Sequence, residues 1–153
     1  MHIELEKRYT FDGIEPNMLW NTLKDAQIIA RCIPHAEDVH VEGSAIKAKV
    51  KPPYSFIRGR LSIEGEIVDV DDTARQLKVK VKGSSIGSSF NAMLTISVMQ
   101  EGLIAKVDAD THGLFRTLPS SLIKKVTEDA ADRFMSCIRV EIGGSATTTT
   151  TAS

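Results

Sequence analysis

Three sets of polar side chains have types and spacings that chemistry can use. Asp108, Asp110 and His112 fall at i, i+2 and i+4. On an extended chain that puts two carboxylates and an imidazole on one face, within reach of a divalent cation. Their alternates Val107, Ala109 and Thr111 are then the inward set, so the acidic row faces water and a metal site is the weaker reading. Asp25 and Glu37 stand near the expected opening of the domain, where a carboxylate can act as a general base. The stronger reading makes them helix-end and turn acceptors. Cys32 and Cys137 lie far apart, in no CxxC pair and at no histidine-containing ligand spacing, so zinc and thioredoxin chemistry lack support and both read as small buried apolar residues. The stretch Gly83–Ser89 lacks the lysine and the strand-loop-helix context of a phosphate loop, and reads as a flexible hairpin connection. With no Ser/His/Asp set and no inward carboxylate pair, the sequence assigns no catalytic residue and calls for no cofactor.

The elements that position these residues follow from periodicity. Ile3, Leu5, Tyr9 and Phe11 alternate with charged residues, which predicts an opening strand ended by Gly13. Pro16 starts a helical turn with Leu19, Trp20 and Leu23 on one face, and Pro34 stops the second such turn. Alternation then returns in Ile46/Ala48/Val50, in Leu61 to Ile67, in Leu77/Val79/Val81, from Phe90 to Val98 and from Leu103 to Thr111, joined by short connections that imply an antiparallel sheet. A long amphipathic helix closes the domain, with Leu122, Val126, Ala130, Phe134 and Ile138 at spacing four and Gly143-Gly144 at its end. Residues 1–142 therefore read as one α+β domain, with two short helices between the first two strands and a curved antiparallel sheet wrapped around the long C-terminal helix. Residues 143–153 read as a flexible threonine-rich tail. One helix cannot fill the concave side of a wide twisted sheet everywhere, so a cavity between them is the geometric expectation.

Composition narrows the function classes. The chain has 153 residues, 42% of them hydrophobic, with 19 basic and 20 acidic residues for a formal net charge of −1. Near-neutrality gives no field that would draw in nucleic acid. A charged N-terminus and the lack of a long apolar run point to a soluble cytoplasmic protein, peripheral to the inner membrane face at most. The lysine rows Lys47/Lys49/Lys51 and Lys78/Lys80/Lys82 lie on outward faces beside Glu64 and Glu66. Cross-strand ion pairing is the plainer account, and a docking patch for anionic lipid or an acidic enzyme surface the sharper one.

Trp20, Leu23 and Asp25, then Ile33-Pro34 with Ala36-Glu37, then Gly43, Phe56, Gly59, Gly113 and Phe134 together resemble the G-subunit family of carbon monoxide dehydrogenase, within the START-like group called SRPBCC. The resemblance spans roughly residues 1–142 and implies the helix-grip fold. It departs from the family at His35, where glycine is usual, and at Thr147–Thr151, where some members carry an apolar anchor. It implies an auxiliary protein for molybdenum-dependent CO dehydrogenases and related hydroxylases, which engages enzyme and membrane and carries an apolar ligand such as an isoprenoid quinone. It implies no catalytic set.

The apolar residues expected to face the cavity are Trp20, Phe56, Phe90, Leu114, Phe115, Val126, Phe134, Met135 and Ile138, each with plain core packing as its competing reading. Leu114-Phe115 would cap the cavity mouth or staple onto the helix. The resulting expectation is a non-catalytic carrier or adaptor for a small hydrophobic, lipid- or quinone-like molecule. The alternatives are a cyclase- or hydratase-type enzyme of the same fold, or a protein-binding module with a filled core.

Overall fold

A computed structural model describes residues 1–143; the threonine-rich tail expected beyond the helix lies outside the described residues. Strand β1 (His2–Thr10) is followed by helices α1 (Pro16–Leu23) and α2 (Ala26–Arg31). Strands β2 (Ala36–Glu42), β3 (Ala45–Val50), β4 (Leu61–Asp71), β5 (Gln76–Ser85), β6 (Ser88–Val98) and β7 (Gly102–Gly113) come next. A 3₁₀ turn at Leu114–Thr117 leads into α3 (Ser120–Gly143). One seven-stranded sheet runs in the order β1-β7-β6-β5-β4-β3-β2. Every pairing is antiparallel, and β1 crosses to join β7 rather than β2. This is the helix-grip layout, and its cause is the alternation itself: each strand has one apolar face, and α3 is the one element long enough to cover those faces.

The two small helices are set by local chemistry. Pro16 occupies the first turn of α1, where its missing N–H costs nothing. Asp25 caps α2 by accepting from the Gln27 amide at 2.9 Å. Together they carry Leu19, Trp20 and Leu23 into a core shared with Phe11, Leu77, Ile96, Leu103, Met135 and Ile138. A second cluster of Ala48, Val50, Leu61 and Phe115 lies towards the other end of the sheet.

α3 is secured almost entirely through its C-terminal half. Asp132 accepts from Lys7 Nζ at 2.8 Å and from the Tyr9 hydroxyl at 2.7 Å. Arg139 lies over the Phe11 ring at 4.3 Å, and Glu141 accepts from Arg31 at 2.7 Å. Burial opposes ionisation of Asp132, but the two donated hydrogen bonds outweigh it and hold its pKa below the ordinary carboxylate value. Burial first, and Asp132 second, push the Tyr9 phenol well upward.

Several expectations change here. Cys32 and Cys137 are not two independent buried apolar residues: they form a disulfide with Cα atoms 5.4 Å apart, tying the end of α2 to α3, and Cys137 is half-exposed. Spacing could not reveal this, because the fold brings the two together. Gly83–Ser89 is not a loop. β5 runs to Ser85 and β6 starts at Ser88, leaving Ile86-Gly87 as a two-residue turn with Gly87 at φ +75°. Just ahead of α3, the Thr117 hydroxyl donates to the Leu114 carbonyl at 2.7 Å.

On the convex face the strands carry alternating columns of charge. Lys47 and Lys82 are both in register with Glu64, Lys80 with Glu66, and Lys78 with Asp69. Lys47 Nζ lies 3.7 Å from Glu64 Oε1, and Lys49 donates to Ser62 at 2.7 Å. Register thus interleaves the lysines with carboxylates, but of the six only Lys47 lies within ion-pair distance of one among the described residues. Among the described residues no helix is long and apolar enough to cross a membrane.

Candidate functional site

Where the N-terminal half of α3 passes over the sheet, it leaves a cavity of about 270 Å³. Strand residues Val50, Leu61, Ile63, Phe90, Ala92, Val107, Ala109 and Thr111 form its floor and walls. Ile123, Val126, Thr127, Ala130 and Arg133 of α3 roof it, Phe115 closes one side, and Ile33-Pro34-His35 with Pro52, Tyr54, Phe56 and Ile57 line the rest. The void has a simple origin. Ala92 and Ala109 are directly paired across β6 and β7, so the middle of the concave floor carries methyl groups where larger side chains would reach the helix.

Phe90 depends on a small neighbour as well. It pairs with Gly83 on β5, and any Cβ at Gly83 would collide with the Phe90 ring. Glycine lets the ring lie flat over the strand and form part of the wall rather than project across the space. The segment between β3 and β4 is held over the opening by few contacts. Tyr54 stacks on Phe56 with ring centroids 5.5 Å apart, and its hydroxyl donates to Asp129 Oδ2 at a long 3.4 Å. Ser85 donates to the Arg58 carbonyl at 2.8 Å.

Of the residues expected to face a cavity, Phe56, Phe90, Phe115 and Val126 line it. Trp20, Phe134, Met135 and Ile138 do not. Trp20 and Met135 are each 3% exposed and Ile138 is fully buried within the main core, with Phe134 packed against that core. Trp20 also spends its indole N–H on Asp72 at 2.9 Å, an acceptor shared with Lys24. Leu114 is 52% exposed, turned outward beside Gly87 while Phe115 turns in. The apolar stripe of α3 is continuous, but towards its C-terminal end it is filled from below by Leu19, Trp20 and Leu23 of α1 together with Leu77, Ile96 and Leu103 of the sheet. Missed were the inward alanines Ala92 and Ala109, together with Ile63, Val107 and Thr111. Small residues at inward strand positions were the available signal.

The remaining polar candidates have structural partners. Asp25 is the α2 cap, and Glu37 pairs with Arg60 Nε at 2.6 Å; neither lines the cavity. Asp108 and Asp110 are joined by His2, each 3.0 Å from one of its ring nitrogens, rather than by His112. His2, Glu4 and Asp108 bring their ligand atoms within 4.8 Å of one another, all exposed. The hydrogen bond to Asp110 raises the His2 pKa above its ordinary value against an opposing desolvation. This pairing therefore favours the folded state at acidic pH and loses its effect as pH rises through the folded-state value. An NMR titration should show His2 above the free imidazole range, and Asp110→Asn should bring it down.

The sequence profile of the CoxG family, the G subunits of carbon monoxide dehydrogenase, matches residues 13–143. No curated protein sequence matches significantly. Among solved structures, a conserved protein from Geobacillus kaustophilus superposes with TM-score 0.73 at 19% identity, covering 94% of this chain and 95% of that one. The Zhui aromatase/cyclase from Streptomyces sp. R1128 gives TM-score 0.61 at 14% identity, over 93% and 94% of the two chains. Major latex-like protein 151 from Panax ginseng gives 0.64 at 13% identity, over 92% and 97%. At these identities the structural likeness establishes the shared fold and nothing about ligand or activity.

Proposed function

Because this chain belongs to the CoxG family of carbon monoxide dehydrogenase G subunits, with the helix-grip fold of the SRPBCC group, we propose that it is a non-catalytic carrier of a small hydrophobic molecule. The observation that supports this reading is the cavity of about 270 Å³ beneath α3, whose lining is overwhelmingly aliphatic and aromatic. Transferring an apolar body from water into such a space contributes about 25 cal/mol per Å² buried, with shape setting the selectivity. Among the described residues the lining offers no carboxylate, and Asp25 and Glu37, the candidate bases for a cyclase- or hydratase-type reaction, are engaged elsewhere. That favours binding over turnover.

The family name supplies the proposed setting: the carrier serves a molybdenum-dependent CO dehydrogenase or a related hydroxylase in the cytoplasm, with peripheral membrane contact as the means of exchange. Nucleic acid is not a proposed partner, since the convex face carries interleaved charges rather than a basic stripe.

Titration with the neutral apolar fluorophore N-phenyl-1-naphthylamine should give saturable blue-shifted emission at one site per chain. Native mass spectrometry of freshly purified protein should show a co-purifying apolar molecule that displaces the probe. A protein that leaves the probe's emission unchanged would not be a carrier of this kind.

A further inference from the structure

The cavity is apolar within and polar at one edge. The edge is built by three side chains from separate segments: Tyr54 from the β3–β4 connection, Arg133 from α3 and His35 from the α2–β2 connection. Their segments adjoin: three residues before Tyr54, the Lys51 amide donates to the His35 carbonyl at 3.1 Å, and the Tyr54 hydroxyl reaches Asp129, one turn from Arg133.

Each of these side chains has donor capacity to spare. Arg133 makes no ion pair within 4.0 Å among the described residues, although its neighbour Asp132 is taken by Lys7 and Tyr9. It is the one permanently charged side chain that lines the cavity. Tyr54 holds Asp129 by a bond long enough to exchange for a better acceptor. Its phenol is raised in pKa, by burial first and Asp129 second, with Arg133 acting in the opposite sense, so it keeps its proton.

His35 adds an independent observation. Its backbone sits at φ +59°, the left-handed region that a β-carbon disfavours and glycine enters freely. The chain thus carries an imidazole at the cavity edge at a position where glycine would be easier for the backbone.

We propose that the cavity takes an amphiphile whose carboxylate head is held at the edge by Arg133, Tyr54 and His35 while its apolar body lies against Phe90, Phe115 and Ile63. This rests on the ligand-binding reading above and names the class of ligand it would hold: an alkyl chain ending in a carboxylate, not a hydrocarbon and not an alkylammonium.

The test displaces N-phenyl-1-naphthylamine with a matched ten-carbon series: decanoate, decanol, decane and decylammonium. Decanoate is expected to bind at least about tenfold more tightly than decylammonium or decane, as a charge-assisted hydrogen bond provides. Arg133→Met should abolish that preference, and Arg133→Lys should restore part of it. Tyr54→Phe keeps the ring stacked on Phe56 and should reduce decanoate binding less. His35→Gly should raise the melting temperature, by relieving the backbone, and lower decanoate affinity together. Equal binding of all four compounds, tighter binding of decylammonium, or an unchanged ranking in Arg133→Met would overturn the polar-edge assignment and leave the apolar carrier intact. If neither the probe nor any member binds, both fail.

Discussion

Reduction of the Cys32–Cys137 bridge is expected to lower the unfolding free energy by about 4.7 kcal/mol, the chain-entropy value for a closed loop of roughly 100 residues. The bridged residues are 105 apart in sequence, so strands β2 to β7 all lie within the loop. For a chain of this length the corresponding fall in melting temperature is about 10–20 °C. The measurement is a thermal melt with and without dithiothreitol, alongside the Cys32→Ser/Cys137→Ser double variant, which should match the reduced protein and ignore the reductant. Identical melts in both conditions would show that the two sulfurs are unbonded in solution.

The bridge also bears on the cavity. Cys32 immediately precedes Ile33-Pro34-His35 in the cavity wall, and Cys137 sits one turn beyond Arg133 in its roof. Opening it frees two walls to separate, so probe affinity should fall with stability. Compartment enters as well: a glutathione-reduced cytoplasm keeps such a pair as thiols, whereas an oxidising space keeps it closed. A cytoplasmic carrier would work with the pair open, and its fold would then stand on the main core and on the contacts of Asp132, Arg139 and Glu141 alone.

Ala109→Phe should abolish apolar-probe binding without unfolding the protein. Ala109 lies on the cavity floor, beside Ala92 on β6 and Ile3 on β1. An aromatic ring covers about 150 Å² or more. Contact area of that size denied to a ligand costs about 3–4 kcal/mol at 25 cal/mol per Å², or a few hundredfold in affinity. The stability effect has the opposite sign from the usual one. Extra volume forced into a close-packed core costs about 1–3 kcal/mol, whereas a ring entering an existing void adds contacts and should be neutral or stabilising by about 0.5–2 kcal/mol. Chemical denaturation separates the cases, and a marked drop in stability would mean the interior has no room.

The same two alanines show how the cavity escaped a reading of residues one at a time. Large apolar side chains attract attention as ligand contacts, but Met135 and Ile138 are large because they fill space, while the void exists where Ala92 and Ala109 do not. Phe56, Phe90, Phe115 and Val126 were legible because they sit on inward-facing positions near the helix start or in the connections around it. Leu114 was not separable from Phe115 by type or spacing. The 3₁₀ turn after Gly113 sends one outward and the other in.

The amino-acid sequence by itself determined the strand and helix alternation, the inward and outward faces and, through Trp20, Ile33-Pro34 and Gly113, the family. These are local properties: a period of two or 3.6, a proline that stops a turn, a glycine that permits one. Tertiary structure alone decided that Cys32 meets Cys137, that His2 bridges Asp108 and Asp110, and that the void lies under the first half of α3 rather than the second. Those outcomes depend on distances between segments far apart along the chain. They are set by where β1 joins β7 and by where α1 packs against α3, and no local pattern encodes either.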